Sequence, residues 1–205
     1  MSTSDAIVVG AGPNGLGAAI VLARTGWSVH VIEQADTVGG AARSEAVTRP
    51  GFVHDLGSAI HPLAAASPLF RQLPLEAYGL SWIQPDLPLA HPLDGGRAVA
   101  MHRSLDTTAQ ALGTDGRRYR WLMGPLADRW APLLDEVLQP VLHLPRAPLI
   151  LAQFGLRALW PATLLGKGLF NTEEARALLA GLAAHSTLPL SAVVASAFGV
   201  ILGMA

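Results

Sequence analysis

Apolar and polar positions divide the chain into two stretches of different character. Ala6-Ile7-Val8-Val9 is a short apolar run that ends on Gly10, as a buried strand does when it delivers the chain to a turn. Leu16 to Arg24 then carries Leu, Ala, Ile and Val at helical spacing, and Thr25-Gly26 closes it, since glycine after the last periodic residue takes the left-handed conformation that stops a helix. Ser28-Val29-His30-Val31-Ile32 reads as a second strand. Strand, turn, helix and strand thus follow one another within about 30 residues, the size of a βαβ unit.

Beyond about residue 66 the pattern changes to proline-punctuated apolar segments. Ser67-Pro68 predicts a helix start, with a hydroxyl cap and proline in the first turn, and Gly79 its end. Leu89–Leu93 and Arg97–His102 flank Asp94-Gly95-Gly96, which predicts a hairpin. Asp115 to Leu138 reads as mainly helical, interrupted at Pro125 and Pro132, and Asn171-Thr172-Glu173-Glu174 as the capped start of a helix running to Ala184. The 18 residues from Leu188 to Ala205 carry no charge, a composition that a membrane span would share. Pro189, Ser191, Ser196 and Gly199, with no basic residue following, favour a buried helix instead. The expected fold class is therefore α/β: an incomplete Rossmann-like βαβ unit, then a mostly helical part with a β-hairpin.

Composition narrows the chemistry. Only 14% of residues are charged and formal net charge is −1, without a basic run or acidic tail, so neither nucleic acid nor an electrostatic membrane patch is expected, and peripheral membrane contact is not favoured. The absence of cysteine excludes a C-x-x-C dithiol, a thiolate nucleophile and a cysteine-linked flavin within these residues, so electron chemistry must belong to a cofactor. The histidines show no metal-ligand spacing, and no metal is expected. Met1 to Asp5 lacks the charged and apolar regions of a signal peptide, giving an expected cytoplasmic location.

The run Gly10-Ala11-Gly12-Pro13-Asn14-Gly15 carries the most specific chemistry. Gly10 permits the tight turn, Gly12 removes a side chain that would block a phosphate, and Gly15 lets helix and strand approach. The helix start at Pro13 offers unpaired backbone N–H groups and a partial positive charge to a pyrophosphate. Glu33, 18 positions after Gly15, is placed to accept ribose hydroxyls and to repel a 2′-phosphate, so NAD or FAD is favoured over NADP. A second glycine pair, Gly39-Gly40, follows directly, with Arg43 beyond it as a candidate phosphate contact.

Taken together, Gly10 to Gly15, Glu33 and Val38-Gly39-Gly40-Ala41-Ala42-Arg43-Ser44 resemble the amine oxidase and phytoene desaturase superfamily of FAD enzymes, in particular its phytoene dehydrogenase-like branch. The resemblance implies FAD as cofactor and places Gly10, Gly12, Pro13, Asn14, Gly15, Glu33, Gln34, Gly39, Gly40, Ala41 and Arg43 around it. The superfamily pattern R-x-G-G-R-x-x-S/T is only partly kept: Thr37 and Ala41 stand where its arginines would be, and Arg43 is displaced by two residues. Gly51-Phe52-Val53-His54-Asp55-Leu56-Gly57-Ser58 resembles the segment that runs beneath the flavin ring, which adds Gly57 and Ser58. Asp55 is expected to fix a strand end by accepting from backbone N–H groups, and His54 and His61 are candidate substrate contacts or structural residues.

The resemblance further implies an oxidoreductase in which hydride passes from a substrate C–H to the flavin, with a small apolar or amine substrate and no catalytic residue assignable in this stretch. Residues 1–66 are then the FAD-binding Rossmann-like region and 67–205 part of a substrate-binding region. Trp121, Trp130, Phe154, Trp160 and Phe170 either line an apolar channel or pack as core. Family members exceed twice this length, so a truncated or partial sequence is expected. An NAD-dependent Rossmann dehydrogenase, or a catalytically silent nucleotide-binding or partner-binding fragment, would fit the same glycine run.

Overall fold

The computed structural model describes residues 3–140 and 142–204, which form two compact units, Met1–Tyr78 and Gly79–Ala205. The change in sequence character near residue 66 thus precedes the division between units.

In the first unit β1 (Ala6–Val9), α1 (Pro13–Arg24) and β2 (Val29–Ile32) form the βαβ unit, with β1 and β2 parallel in the register Ala6↔Val29 to Val9↔Ile32. Gly26, at φ +93°, makes the left-handed stop that returns the chain to β2. Both strands alternate half-buried and exposed residues, leaving Val9 81% and Ile7 64% exposed, whereas parallel strands covered on both faces are buried throughout. A short antiparallel pair follows, β3 (Ser44–Glu45) with β4 (His54–Asp55), then α2 (Pro62–Ala66).

The helix expected from Ser67 to Gly79 is instead two 3-10 turns, Phe70–Gln72 and Leu75–Tyr78. Ser67 does cap the first, its Oγ accepting from the Phe70 N–H at 3.4 Å. Pro74 explains the break: it disfavours helical backbone in the residue before it, and Leu73 is extended at φ −99°, ψ 141°.

In the second unit the predicted hairpin is present as β5 (Leu89–Pro92) and β6 (Ala98–Met101), with Gly95 and Gly96 at φ +73° and +75° in its turn. The helices are α3 (Leu105–Ala111), α4 (Gly116–Ala127), α5 (Trp130–Val137), α6 (Pro148–Ala158), α7 (Ala162–Leu169), α8 (Glu173–Ala184) and α9 (Ala195–Leu202). Helix α8 has the predicted limits, because the Thr172 hydroxyl accepts from the Ala175 N–H and Glu173 and Glu174 face the positive end.

The expected interruptions at Pro125 and Pro132 fall elsewhere, at Asp128–Arg129. Pro125 lies within the last turn of α4, where its missing N–H would have bonded Trp121 O; Arg157 Nη2 reaches that carbonyl at 3.4 Å instead. Pro132 sits in the first turn of α5, where no intrahelical N–H donor is needed.

Leu122, Met123, Leu126, Leu133, Phe170, Leu178 and Val200 are fully buried and form the core of this unit. The charge-free stretch folds only partly as a helix: α9 begins after Val194, at φ +64°, and Ala205 lies outside the described residues. Buried Ala195, Ser196, Gly199 and Val200 are the inward face of α9, and a Cβ on Gly199 would sit 3.2 Å from Ala183 Cβ, so the two helices pack at close range. Among the described residues no single helix is long and apolar enough to cross a membrane. Of the five aromatic residues, Phe170 packs as core, Trp121 and Trp160 are at the surface, and Trp130 and Phe154 are half-buried.

Candidate dinucleotide site

Two glycine loops meet at the N-terminus of α1. The first turns at Gly10, whose φ of +97° excludes most side chains and whose N–H donates to Ile32 O at 2.7 Å, fastening the turn to the end of β2. Gly15 packs over that turn: a Cβ there would lie 2.0 Å from Gly10 O, which no backbone adjustment of a few tenths of an ångström absorbs. Gly12 caps α1 with extended backbone, Pro13 opens the helix and Asn14 is exposed beside it. The N–H groups of this first turn have no partner inside the helix.

The second loop arrives from β2 and approaches Gly12. Gly39, at φ +116°, donates its N–H to Ala11 O at 2.8 Å, and Gly40, at φ +56°, lies so near that a Cβ on it would be 3.0 Å from Gly12 Cα. Gly10, Gly12, Gly15, Gly39 and Gly40 are thereby brought to one opening. A single 3-10 turn, Gly40–Ala42, carries the chain on, and Gly57 packs against Ala41, whose carbonyl oxygen would be 3.0 Å from a Cβ at position 57.

Glu33 clamps the two loops. Its Oε2 accepts from the Ala11 N–H at 2.6 Å and its Oε1 from the Ala35 N–H at 2.9 Å. These bonds, Ala35 first and Ala11 second, hold its carboxyl below the usual carboxylate range, so it is ionised at neutral pH. Each oxygen retains a further lone pair for an external hydroxyl. Ala11 and Ala35 were not singled out by residue chemistry, since both act through backbone atoms; the small residue enclosed between Gly10 and Gly12, 1% exposed, is the only trace of that role in the sequence.

Of the remaining candidates, Arg43 adjoins the second loop, where a Cβ on Gly39 would lie 3.2 Å from its own Cβ. Gln34, Ala35, Asp36, Thr37, Arg43 and Glu45 line an open surface depression of about 410 Å³. Within it the Arg43 guanidinium is paired with Glu45, Nε to Oε1 at 2.8 Å, in a geometry too oblique for a hydrogen bond. Ser58 Oγ lies 3.4 Å from His61 Nδ1, and His54 Nε2 is 2.7 Å from Thr48 Oγ1. Asp55 does fix a strand end, but by accepting from the Ser44 hydroxyl at 2.5 Å rather than from backbone N–H groups, because Ser44 is its antiparallel partner in β3.

Ionisable groups in the second unit form structural clasps. Burial would raise the Asp115 pKa, but the Thr172 N–H and hydroxyl, the Asn171 N–H and Arg118 overcome it and bring it down to about 2, tying α4 to the start of α8. Glu136 accepts from His143 Nε2 at 2.7 Å and from the Arg146 and Ala147 N–H groups, while His143 Nδ1 faces Pro140 O at 2.8 Å. An acceptor facing each ring nitrogen favours the protonated form of His143 and raises its pKa, the Glu136 bond being the main cause. Among the described residues no group of three His, Asp or Glu side chains is placed to hold a metal ion.

Comparison with known proteins adds a family context to this geometry. Residues 8–73 match the family described as NAD(P)-binding Rossmann-like domain. The chain is 30% identical over 174 residues to a subunit of limonene dehydrogenase from Castellaniella defragrans, an alignment covering 83% of this chain and 30% of that protein. It is 52% identical over 54 residues to 4,4'-diapolycopene oxygenase of Methylomonas sp, covering 26% of this chain and 10% of that protein. Wild-type putrescine oxidase bound to putrescine shares the fold, with a TM-score of 0.56 and 23% identity over 96% of this chain and 40% of its own length. The chain therefore spans less than a third of the length of the curated relatives it matches.

Proposed function

We propose that this chain carries the N-terminal part of the FAD-dependent amine oxidase and desaturase superfamily, and that residues 5–61 hold the ADP half of FAD for an oxidoreductase that removes hydride from a substrate C–H bond. The observation that carries this is the convergence of both glycine loops and the open N-terminal turn of α1 on one cradle, which a Cβ at either Gly12 or Gly40 would begin to fill. A pyrophosphate fits such a cradle because it needs backbone N–H donors at close range and no side chain between.

FAD supplies the hydride acceptor. The chain binds and orients. Gly12 and Gly40 leave room for the pyrophosphate, the helix dipole of α1 offsets its charge, and Glu33 accepts from the ribose hydroxyls with the lone pairs its backbone bonds leave free. An ionised Glu33 opposes a 2′-phosphate. An NAD-dependent dehydrogenase is the weaker reading, since a hairpin and helices follow in residues 79–205 where a second α/β half would be needed. The limonene and putrescine named for the relatives support a small apolar or amine substrate.

The test separates the cradle from the fold. In the protein itself a Cβ at Gly12 meets nothing closer than Gly40 Cα at 3.8 Å, so Gly12→Ala should fold normally. It should weaken FAD binding about tenfold or more, equivalent to roughly 1.4 kcal/mol, through intrusion on the phosphate. A folded chain that takes up no flavin absorbance on FAD addition, or a Gly12→Ala variant with unchanged affinity, overturns the proposal.

A further inference from the structure

The surface beside Glu33 carries more charge than a ribose contact needs. Ala35, whose N–H donates to Glu33 Oε1 at 2.9 Å, also lines the open depression it shares with Gln34, Asp36, Thr37, Arg43 and Glu45. The ionisable side chains there are one cation, Arg43, and two acids, Asp36 and Glu45. After the Ala35 and Ala11 bonds, the charge of Arg43 also helps hold the Glu33 carboxyl low, so the guanidinium lies within its field. A 2′-phosphate on a ribose held by Glu33 would meet these charges.

Dinucleotide sites that accommodate a 2′-phosphate do so with an arginine near the acidic end of the second strand. This chain has the guanidinium and sets a carboxylate against it. Glu45 Oε1 lies 2.8 Å from Arg43 Nε and is its one ion-pair partner among the described residues. That nitrogen is buried and makes no hydrogen bond, so charge alone holds the pair. Half-exposed ion pairs are usually weak, because two long side chains must be ordered to form them. Here both backbones are already fixed: Glu45 pairs with His54 between β3 and β4, and Arg43 O accepts from the Leu56 N–H at 3.1 Å. As formal charges Arg43 and Glu45 cancel, which leaves Asp36 and Glu33 to oppose an incoming phosphate.

Building on the reading of the cradle as an ADP site, we propose that Glu45 is a specificity-determining residue. By engaging Arg43 it withholds the guanidinium from a 2′-phosphate, so exclusion of 2′-phosphorylated nucleotides is shared between Glu33 and Glu45. Titration calorimetry of the chain with ADP-ribose and with ADP-ribose 2′-phosphate tests this, since the two ligands differ only in the phosphate. The wild type should favour ADP-ribose. Glu45→Gln keeps the strand pairing and side-chain volume, and should narrow that preference about fivefold through tighter binding of the phosphorylated ligand. Glu45→Gln/Arg43→Gln should lose the gain, and added salt should erode it, circular dichroism showing both variants folded. A wild type that binds the two ligands equally, a Glu45→Gln ratio that does not move, or a gain that survives without Arg43 overturns the inference and leaves the cradle standing. A folded chain that binds neither ligand overturns the cradle itself, and this inference with it.

Discussion

The two units of this chain use opposite means to become specific. In Met1–Tyr78 specificity lies in the backbone: five glycines and the main-chain atoms of Ala11 and Ala35 shape the site, and no apolar side chain of β1 or β2 is fully buried. In Gly79–Ala205 specificity lies in side chains: buried leucines, Phe170 and the fully buried carboxylate of Asp115 set how the helices meet. Backbone geometry leaves a spacing pattern in the sequence, whereas side-chain packing leaves only composition. This is why one unit announces a ligand and the other announces little beyond a core.

Substitutions can break this contrast or sharpen it. The largest effect is expected at Gly15→Val, since even its Cβ would lie 2.0 Å from a backbone oxygen. It should cost upwards of about 3 kcal/mol and abolish FAD binding, visible as a lowered unfolding midpoint with no flavin uptake. If Gly15→Val folds and binds normally, backbone proximity is not what shapes the first unit.

Asp115→Ala is the counterpart in the second unit. It strands the Asn171 and Thr172 N–H groups and should cost about 3 kcal/mol in denaturant unfolding, with FAD affinity retained. Because the folded pKa of Asp115 is depressed to about 2, its contribution is complete above the ordinary value of 3.8 and is lost as pH falls between them. Acid titration of the wild type should show that loss and Asp115→Ala should lack it.

Glu33→Ala should be milder, weakening FAD about tenfold because the ribose loses an acceptor and the Ala11 turn its clamp. Titration calorimetry measures this, and an unchanged affinity would remove Glu33 from the site. The smallest effect is expected from pH at the Glu136–His143 clasp. The raised pKa of His143 means that its contribution is complete below the ordinary value of 6.5 and is lost as pH rises through the raised one. Hydrogen-exchange protection of the Arg146 and Ala147 amides, which Glu136 holds, should fall across that rise and be pH-independent in His143→Phe.

Legibility followed the same division. Gly10 and Gly15 could be assigned because each answers a local steric need, and Thr172 could be named as a cap because the first turn of α8 is satisfied within a few residues. The segment after Ser67 misled because a helix start at Ser67-Pro68 and a stop at Gly79 were visible while Pro74 holds Leu73 in extended backbone. The break between α4 and α5 was displaced from both prolines because a residue 36 positions away, Arg157, satisfies the carbonyl Pro125 leaves open. Asp115 was read only as the start of a helical stretch, since its donors lie 56 and 57 positions on.

By itself the amino-acid sequence determined the βαβ order, the two glycine loops, the acidic residue between them and hence a cradle suited to a dinucleotide without a 2′-phosphate, because turns, caps and close approaches are decided by residues near one another in the chain. Tertiary structure alone decided that Gly40 meets Gly12, that Glu33 clamps Ala11, and that the leucines of α6 face outward. Those outcomes depend on which distant groups compete for the same donor, acceptor or apolar surface, and that competition exists only once the chain has folded.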